Sequence, residues 1–202
     1  MSKTMEIRIQ FIKDGTLPDH RIGSPFGFTE MDWEYVQEEL ARVDCLKVVM
    51  GYQFQSPHYE SERLCRNVEA QFQQALLARN RERFAEPPVT LNFQRLAAGY
   101  GEHVFTDIVR EIISADIAVF ETSDCNPNVM IEMGVALTWG VPVWPIKKRG
   151  APPLPTDVAG QTYTEYSGDG EQFFNHQHAA NLRELIERAL ERKRRRYREA
   201  DR

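Results

Sequence analysis

The sequence contains no long apolar run, and its first ten residues, MSKTMEIRIQ, lack the apolar core of a signal peptide. From these absences we expect a cytoplasmic protein without a transmembrane helix and without membrane contact. Cysteine is also scarce, because only Cys45, Cys65 and Cys125 occur in 202 residues. An odd number of cysteines at wide spacings indicates reduced thiols and excludes a disulfide framework as the source of stability.

Metal-binding patterns and an excess of basic charge are missing too. No spacing of cysteine and histidine matches a zinc site, and His176 and His178 alone are weak evidence, so we expect no metal. The formal net charge is −5, which argues against nucleic-acid binding by the surface as a whole. The chain is long enough for one domain with a sizeable core and short appendages.

From Cys45 onward, apolar runs alternate with helical stripes. This alternation predicts a parallel sheet with helices on both faces. We predict strands within Cys45–Phe54, Val89–Phe93, Ile117–Phe120 and Val141–Ile146, an edge strand at Thr162–Tyr166, and helices over Tyr59–Phe84, from Val104 to Ile113, after Asn126, and over Ala180–Arg198.

The ends of the chain differ in pattern from this central part. We predict an N-terminal extension over residues 1–44, an α/β domain over 45–190 and a basic C-terminal tail over 191–202. The extension combines a half-buried strand at Ile7–Phe11 with a helix capped by Thr29. It serves either as a packing cover or as a dimer arm or lid. The basic tail is either a solvated helix end or a contact for a protein or a nucleic acid.

The stretch Ala115–Pro145 has the features of a site. Its apolar strand ends in a polar turn, and Asn126 followed by Pro127 is a typical helix start. Glu132 lies about one turn into this helix, on the face that should pack toward the sheet or line a cleft. A buried carboxylate is costly unless it is paired. Glu132 is therefore either a local pairing residue or a fixed carboxylate at the ligand-binding end of the sheet.

The same stretch carries a family resemblance. Asn126–Val129, with Glu132, Gly134 and Ala136, resembles the N-P-N-V-x-x-E-x-G-x-A signature of the nucleoside 2-deoxyribosyltransferase-like and TIR-like superfamily. The likeness extends from Leu46 to Ala189 and implies a flavodoxin-like three-layer sandwich with a parallel sheet. It also departs from the family, since Glu121 replaces the usual Asp, and neither a G-P-x loop nor an S-Y-S-x-x-D opening follows the first strand.

The resemblance implies that Glu132 is the catalytic nucleophile or electrostatic stabiliser. Aromatic residues after the first strand can stack on a base or nicotinamide ring, although they equally suit the core. Small polar residues at the helix start would bind sugar or phosphate groups. The substrate-binding residues that we predict are Tyr52, Phe54, Glu121, Ser123, Asp124, Asn126 and Asn128.

N-glycosidic bond cleavage develops positive charge on the ribose, which one carboxylate can stabilise or attack. A cationic nicotinamide leaves without a proton, whereas a neutral base needs a second acid. Glu132 has no evident partner acid, so we expect TIR-like hydrolysis of NAD to nicotinamide and an ADP-ribose product. NAD would be a substrate, and no cofactor is expected. The alternatives are a nucleoside or nucleotide 2-deoxyribosyltransferase and a non-catalytic nucleotide-sensing module. The resemblance also implies a homo-oligomer.

Overall fold

A computed structural model describes residues 27–96, 104–153, 163–174 and 177–200, with the backbone alone for residues 104 and 198–200. The predicted strand at Ile7–Phe11 and the loop over residues 97–103 lie outside the described residues, as does His176. Within the described residues no helix has both the length and the apolar character that crossing a membrane requires.

Strands and helices alternate from residue 30 to residue 148, as the sequence predicts, and the last two strands follow without a described helix between them. Polar residues cap two of the helices that follow a strand, with Glu60 before Ser61 and Asn126 before Pro127. The elements are α1 (Glu30–Ala41), β1 (Cys45–Gly51), α2 (Ser61–Glu82), β2 (Thr90–Arg95), α3 (Val104–Ile113), β3 (Ile117–Glu121), α4 (Pro127–Thr138), β4 (Val143–Lys148), β5 (Thr164–Ser167), β6 (Gln172–Phe173) and α5 (His178–Ala200).

The strands form one six-stranded sheet in the order β2-β1-β3-β4-β5-β6. Neighbours from β2 to β5 are parallel, and β6 pairs with β5 in the antiparallel direction. The first five strands thus have the flavodoxin-like order, which confirms the predicted fold class. The strand predicted at Thr162–Tyr166 is present as β5, but its predicted position at the edge of the sheet is wrong, because β6 pairs with its outer side. A two-residue strand is too short to produce a periodic signal.

The two central strands, β1 and β3, are buried at every position. Alternate side chains belong to different cores, as strand geometry requires. Val48 and Val119 face the core under α2 and α5, whereas Val49 and Phe120 face the core under α3 and α4. The sheet is therefore the middle of three layers.

Helix α1 begins at the predicted cap. The Thr29 side chain accepts a hydrogen bond from the Asp32 amide, and the Asp32 carboxylate accepts one from the Thr29 amide at 2.8 Å. This reciprocal pair satisfies two amides that have no partner within the helix. Trp33 then packs with Val109 and Ile113, so α1 lies against α3 on the outside of the three layers.

Lys47 is the charged residue in the middle of β1, and its side chain is only 1% exposed. Its ammonium group lies 2.7 Å from the Glu111 carboxylate and 3.5 Å from the Glu39 carboxylate. It also donates a hydrogen bond to the Ser114 hydroxyl at 2.8 Å. A buried ammonium needs such partners, and here they join α1, α3 and the sheet.

The predicted basic tail begins inside a continuous helix, because α5 extends through residue 200. Lys193 is 2% exposed, and its ammonium group lies 2.8 Å from the Asp116 carboxylate. The same group donates a hydrogen bond to the carbonyl of Cys45 at 2.8 Å. The basic residues near Lys193 therefore hold the helix to the amino-terminal edge of the sheet.

Two neighbouring cations make comparable contacts. Arg192 donates a hydrogen bond to the carbonyl of Gly140 at 2.9 Å, and Arg194 donates one to the Glu86 carboxylate at 2.7 Å. Arg195 is exposed. Contact of this region with a protein or a nucleic acid stays a prediction that would have to use the exposed side of α5.

We expect Lys193→Met to destabilise the protein by about 3–5 kcal/mol, because it leaves the Asp116 carboxylate buried without its counter-ion. The matched control is Arg195→Met on the exposed side of the same helix, which should change stability by less than about 0.5 kcal/mol. Denaturant unfolding of both variants measures the difference. Equal effects of the two substitutions would contradict a structural role for the buried ion pair.

Candidate functional site

The strand order creates a crevice at the carboxyl ends of the strands. The chain leaves β1 toward β2 on one side and later occupies β3 on the other, and ligands bind at such a switch point in open α/β sheets. A cleft of about 690 Å³ lies there, between the segments that follow β1, β2 and β3. Its lining consists of Tyr52, Gln53, Phe54, Gln55, Leu96, Phe105, Ile108, Asn126, Asn128, Val129, Ile131 and Glu132.

One wall of the cleft is the loop after β1. The Tyr59 hydroxyl donates a hydrogen bond to the Gln53 carbonyl at 3.1 Å and accepts one from the Gln53 amide at 3.0 Å. These bonds hold the loop backbone on both sides of Gln53. Tyr52 is buried, Phe54 is 52% exposed, and their rings meet edge to face with centroids 5.3 Å apart. The loop therefore presents an aromatic surface on a fixed backbone.

The opposite wall is the start of α4. The Asn126 side chain accepts a hydrogen bond from the Asn128 amide at 2.9 Å, and Pro127 takes the first helical position, which confirms the predicted helix start. The Asn126 amide group also donates to the Gln53 side chain at 2.8 Å. This second bond joins the helix start to the loop after β1.

Glu132 lies between the two walls. Its side chain is 9% exposed and lines the cleft, and the described residues provide no hydrogen bond or ion pair to its carboxylate. Burial alone raises its pKa to about 7, because little solvent remains to stabilise the ionised form. The alternative interpretation, a local pairing residue, finds no partner among the described residues.

Gly51 makes this position of Glu132 possible. A Cβ atom on Gly51 would lie 2.6 Å from the Glu132 Oε2 atom and 2.7 Å from the Phe120 ring. Both distances are shorter than van der Waals contact. Glycine at the end of β1 therefore allows α4 to bring its carboxylate against the backbone of the sheet.

Glu121 lies elsewhere. It follows Phe120 in β3, so its side chain points to the opposite face of the sheet from α4. Its carboxylate accepts hydrogen bonds from the Tyr166 hydroxyl at 3.0 Å and from the amide and hydroxyl of Ser123. Burial raises its pKa to about 7, although these hydrogen bonds lower it. Glu121 is not among the residues that line the cleft.

Ser123 and Asp124 are also absent from the cleft lining. The Ser123 hydroxyl donates to Glu121 and accepts a hydrogen bond from the Lys148 amide at 2.7 Å. Asp124 Oδ1 lies 3.6 Å from His58 Nε2. The structure thus gathers five of the predicted site residues in the cleft and places the other three in a polar cluster next to it. The five are Tyr52, Phe54, Asn126, Asn128 and Glu132.

Sequence reasoning missed the apolar part of the lining. Phe105 is 46% exposed and Ile131 is 54% exposed, and both face the cleft. Exposed apolar residues beside an acidic residue on a helix are a signal of a binding surface, but their convergence with the β1 loop depends on tertiary packing. Gln53 was missed because glutamine in a loop carries no pattern.

Other candidate groups do not contribute to the cleft. The cations at the end of β4 and just after it lie near aromatic rings, with Lys147 5.3 Å from the Tyr163 ring centroid and Arg149 4.3 Å from that of Phe174. All three cysteines are free, and burial raises the pKa of Cys65 to about 11, which makes it a poor nucleophile. In the part of the chain that the structure describes, no group of three His, Cys, Asp or Glu residues is suited to a metal ion.

Comparison with known proteins adds little. No protein-family model matches the sequence, and no curated protein matches it. A solved structure described as a conserved protein from Enterococcus faecalis V583 is similar over 75% of this chain and 99% of that chain, with 14% identity and a TM-score of 0.37. A likeness this distant carries no functional argument, so the site is interpreted from its own residues.

Gly51→Ala should destabilise the protein by about 1–3 kcal/mol, because the added methyl group overlaps the Glu132 carboxylate and the Phe120 ring. Gly134→Ala is the matched control. It lies on α4 two residues beyond Glu132, its added Cβ meets nothing within 4 Å, and it should stabilise by up to about 1 kcal/mol. Thermal and denaturant unfolding measure both changes. A neutral or stabilising effect of Gly51→Ala would contradict the close approach.

The raised pKa of Glu132 predicts that stability depends on pH. Between its ordinary value of 4.5 and about 7 the folded state binds the proton more tightly than the unfolded chain. The free energy of unfolding therefore falls as pH rises through this interval. Glu132→Gln should remove the part of this fall in the free energy of unfolding that Glu132 causes. The variant should be more stable than the wild type by up to about 3 kcal/mol above pH 7, and no more stable below about pH 4.5.

Unfolding at a series of pH values tests this expectation. Glu121 contributes a loss of the same sign in both proteins, so the difference between variant and wild type isolates Glu132. Glu184→Gln, at a position with a 66% exposed side chain, should change stability by less than about 0.5 kcal/mol at every pH. A difference between Glu132→Gln and wild type that stays constant with pH would show that the carboxylate is not destabilised by burial.

Proposed function

We propose that this protein cleaves the N-glycosidic bond of a nucleotide, and that the reaction is hydrolysis of NAD to nicotinamide and an ADP-ribose product. The observation that carries the proposal is the Glu132 carboxylate. It is buried, has no partner among the described residues, and opens into a cleft at the switch point of the sheet. Buried carboxylates of this kind are concentrated at functional sites, which supports a catalytic role for Glu132.

The surroundings of Glu132 suit a nucleoside. Tyr52 and Phe54 in the loop after β1, together with Phe105 on α3, supply aromatic surface for a planar ring. The amide side chains of Asn126 and Asn128 at the start of α4 are within the lining and can bind ribose hydroxyls. A ring held by the aromatic residues and a ribose held by the asparagines would place the anomeric carbon beside Glu132.

The reaction balances with these groups. The bond between the anomeric carbon and the ring nitrogen breaks, and its electron pair neutralises the pyridinium ring, which leaves as nicotinamide. Glu132 stabilises the oxocarbenium-like ribose or attacks its anomeric carbon. The oxygen of a water molecule then bonds to that carbon and loses a proton to solvent; where Glu132 has attacked, the bond between its carboxylate and the carbon breaks in the same step and the free carboxylate is regenerated.

The described lining favours a leaving group that is already cationic. A neutral purine or pyrimidine needs a second acid to protonate it. Besides Glu132, the titratable residue of the lining is Tyr52, whose pKa burial raises to about 12, and Glu121 lies on the opposite face of the sheet. These facts support a hydrolase of NAD more than a deoxyribosyltransferase. Assembly into a homo-oligomer stays a proposal that rests on the family resemblance.

The test is an incubation of wild type and Glu132→Gln with NAD, NADP, ribonucleosides, deoxynucleosides and free bases, followed by mass spectrometry. Wild type should release nicotinamide, and the variant should do so at least about a hundredfold more slowly because the charge that stabilises the transition state is gone. Gly134→Ala, on the same helix but without contact to the cleft, should retain the wild-type rate.

Each other result has a definite meaning. New deoxynucleosides formed by wild type would replace the hydrolase with a transferase. Equal nicotinamide release by wild type and Glu132→Gln would remove Glu132 from the chemistry. Intact NAD in every oligomeric state of the purified protein would overturn the proposed hydrolysis, and tight nucleotide binding in the same sample would favour a sensing module.

A further inference from the structure

The cleft has an unusual distribution of charge. The twelve lining residues that the structure describes include one acidic residue, Glu132, and no lysine or arginine. The sequence of residues 97–103, which follow Leu96 of the lining, also contains no lysine or arginine, and neither does the sequence of residues 154–162 after β4. Recognition of phosphate in proteins depends largely on such cations. The lining therefore provides negative charge where a phosphate-binding site would need positive charge.

The cations nearest in sequence to the lining have other partners. The Arg95 guanidinium lies 2.5 Å from the Glu62 carboxylate, and the Arg110 guanidinium lies 3.0 Å from the Asp32 carboxylate. The Asn128 amide at the start of α4, a group that could bind an anion, already donates to the Asn126 side chain. These contacts further reduce the capacity of the cleft for phosphate.

The aromatic residues complement the carboxylate. Phe54 is 52% exposed and Phe105 is 46% exposed, and with the buried Tyr52 they border the same cleft as Glu132. Aromatic ring faces attract cations, and the attraction is strongest where water is excluded. A carboxylate among aromatic rings is the combination that binds an organic cation.

We infer that the cleft selects its ligand by the positive charge of a heteroaromatic ring and not by phosphate, so that its substrate class is N-glycosides of cationic bases, with nucleosides accepted as readily as nucleotides. The inference rests on the proposed function for the glycosidic bond and deepens it by naming what the site recognises. The charge of the ring, in this arrangement, is balanced directly by Glu132.

No positively charged side chain of the described lining faces Glu132, so a bound cation is its principal counter-ion. Glu132 is the sole titratable residue of α4. From β1 and the loop after it, the titratable residue of the lining is Tyr52, which stays neutral. From α3, Phe105 and Ile108 line the cleft, and from β3 the neighbour is Phe120. A bound cation therefore lowers the pKa of Glu132 from about 7, and binding below that pH releases a proton.

The test compares two ligands that contain no glycosidic bond and differ by one charge. Calorimetric titration of the full chain with 1-methylnicotinamide, a cation, and with nicotinamide, its neutral counterpart, should give at least about tenfold tighter binding of the cation at about pH 8. Below pH 7 the affinity for the cation should fall by up to about tenfold per pH unit, because protonated Glu132 no longer attracts it.

Two variants assign the effect to its residues. Glu132→Gln should remove both the preference for the cation and its dependence on pH, which assigns the effect to Glu132 and not to another titratable residue of the chain. Phe54→Leu keeps the carboxylate and should weaken cation binding severalfold by removing one aromatic face. Nicotinamide binding as tight as that of 1-methylnicotinamide, or a pH dependence that survives in Glu132→Gln, would overturn selection by charge.

Turnover tests whether nucleosides are accepted as readily as nucleotides. Wild type should hydrolyse nicotinamide riboside with a kcat/KM at least equal to that for NAD, because the described lining offers the phosphates no cation. A clear preference for NAD would overturn the inference while leaving the proposed hydrolysis intact. Absence of turnover of both compounds, with the cation still bound selectively, would overturn the hydrolysis and leave charge selection in place.

Discussion

The cost of burying a carboxylate is the constraint on which this structure depends. Three buried acidic residues lie on or near β3, and the interactions that offset the cost of burial differ among them. Asp116 is paired with the Lys193 ammonium at 2.8 Å, and Glu121 accepts hydrogen bonds from Tyr166 and Ser123. Glu132 has no such partner among the described residues. It is held in place by its helix, which packs on the sheet through Val129, Met133 and Ala136, and the energy of that packing must exceed the cost of its burial.

The two edges of the sheet differ in how their charged groups are paired. At the amino-terminal edge, Lys47 and Lys193 neutralise buried acids and join helices α1, α3 and α5 to the sheet. At the carboxyl-terminal edge, the loops after β1 and β3 are joined by the hydrogen bond from Asn126 to Gln53 and by the approach of Asp124 to His58 at 3.6 Å. The amino-terminal edge stabilises the fold, and the carboxyl-terminal edge, where Glu132 has no partner among the described residues, is where we propose that a ligand binds.

Much of this arrangement could be predicted from the sequence, because it depends on local rules. The start of α4 at Asn126 and Pro127, the cap at Thr29 and the buried run of β3 each follow from a few neighbouring residues. The place of Glu132 in a cleft followed from helical spacing. Three features could not be predicted. They are the location of Glu121 on the opposite face of the sheet from α4, the presence of β6, and the ion pair between Lys193 and Asp116. The face of the sheet to which Glu121 points depends on how α4 packs, and the ion pair of Lys193 joins residues far apart in the chain. Strand β6, with two residues, is defined only by its pairing with β5.

The charge of Glu132 links ligand binding to product release if the proposed reaction is correct. In the bound substrate the positive charge is on the ring, and as the bond breaks it moves toward the ribose, so the carboxylate faces positive charge throughout the reaction. The products are a neutral nicotinamide and a sugar whose anomeric carbon is uncharged. The carboxylate then has no counter-ion in a site whose burial raises its pKa to about 7, and it regains a proton near neutral pH. The attraction that retained the substrate is therefore absent for both products, which favours their release.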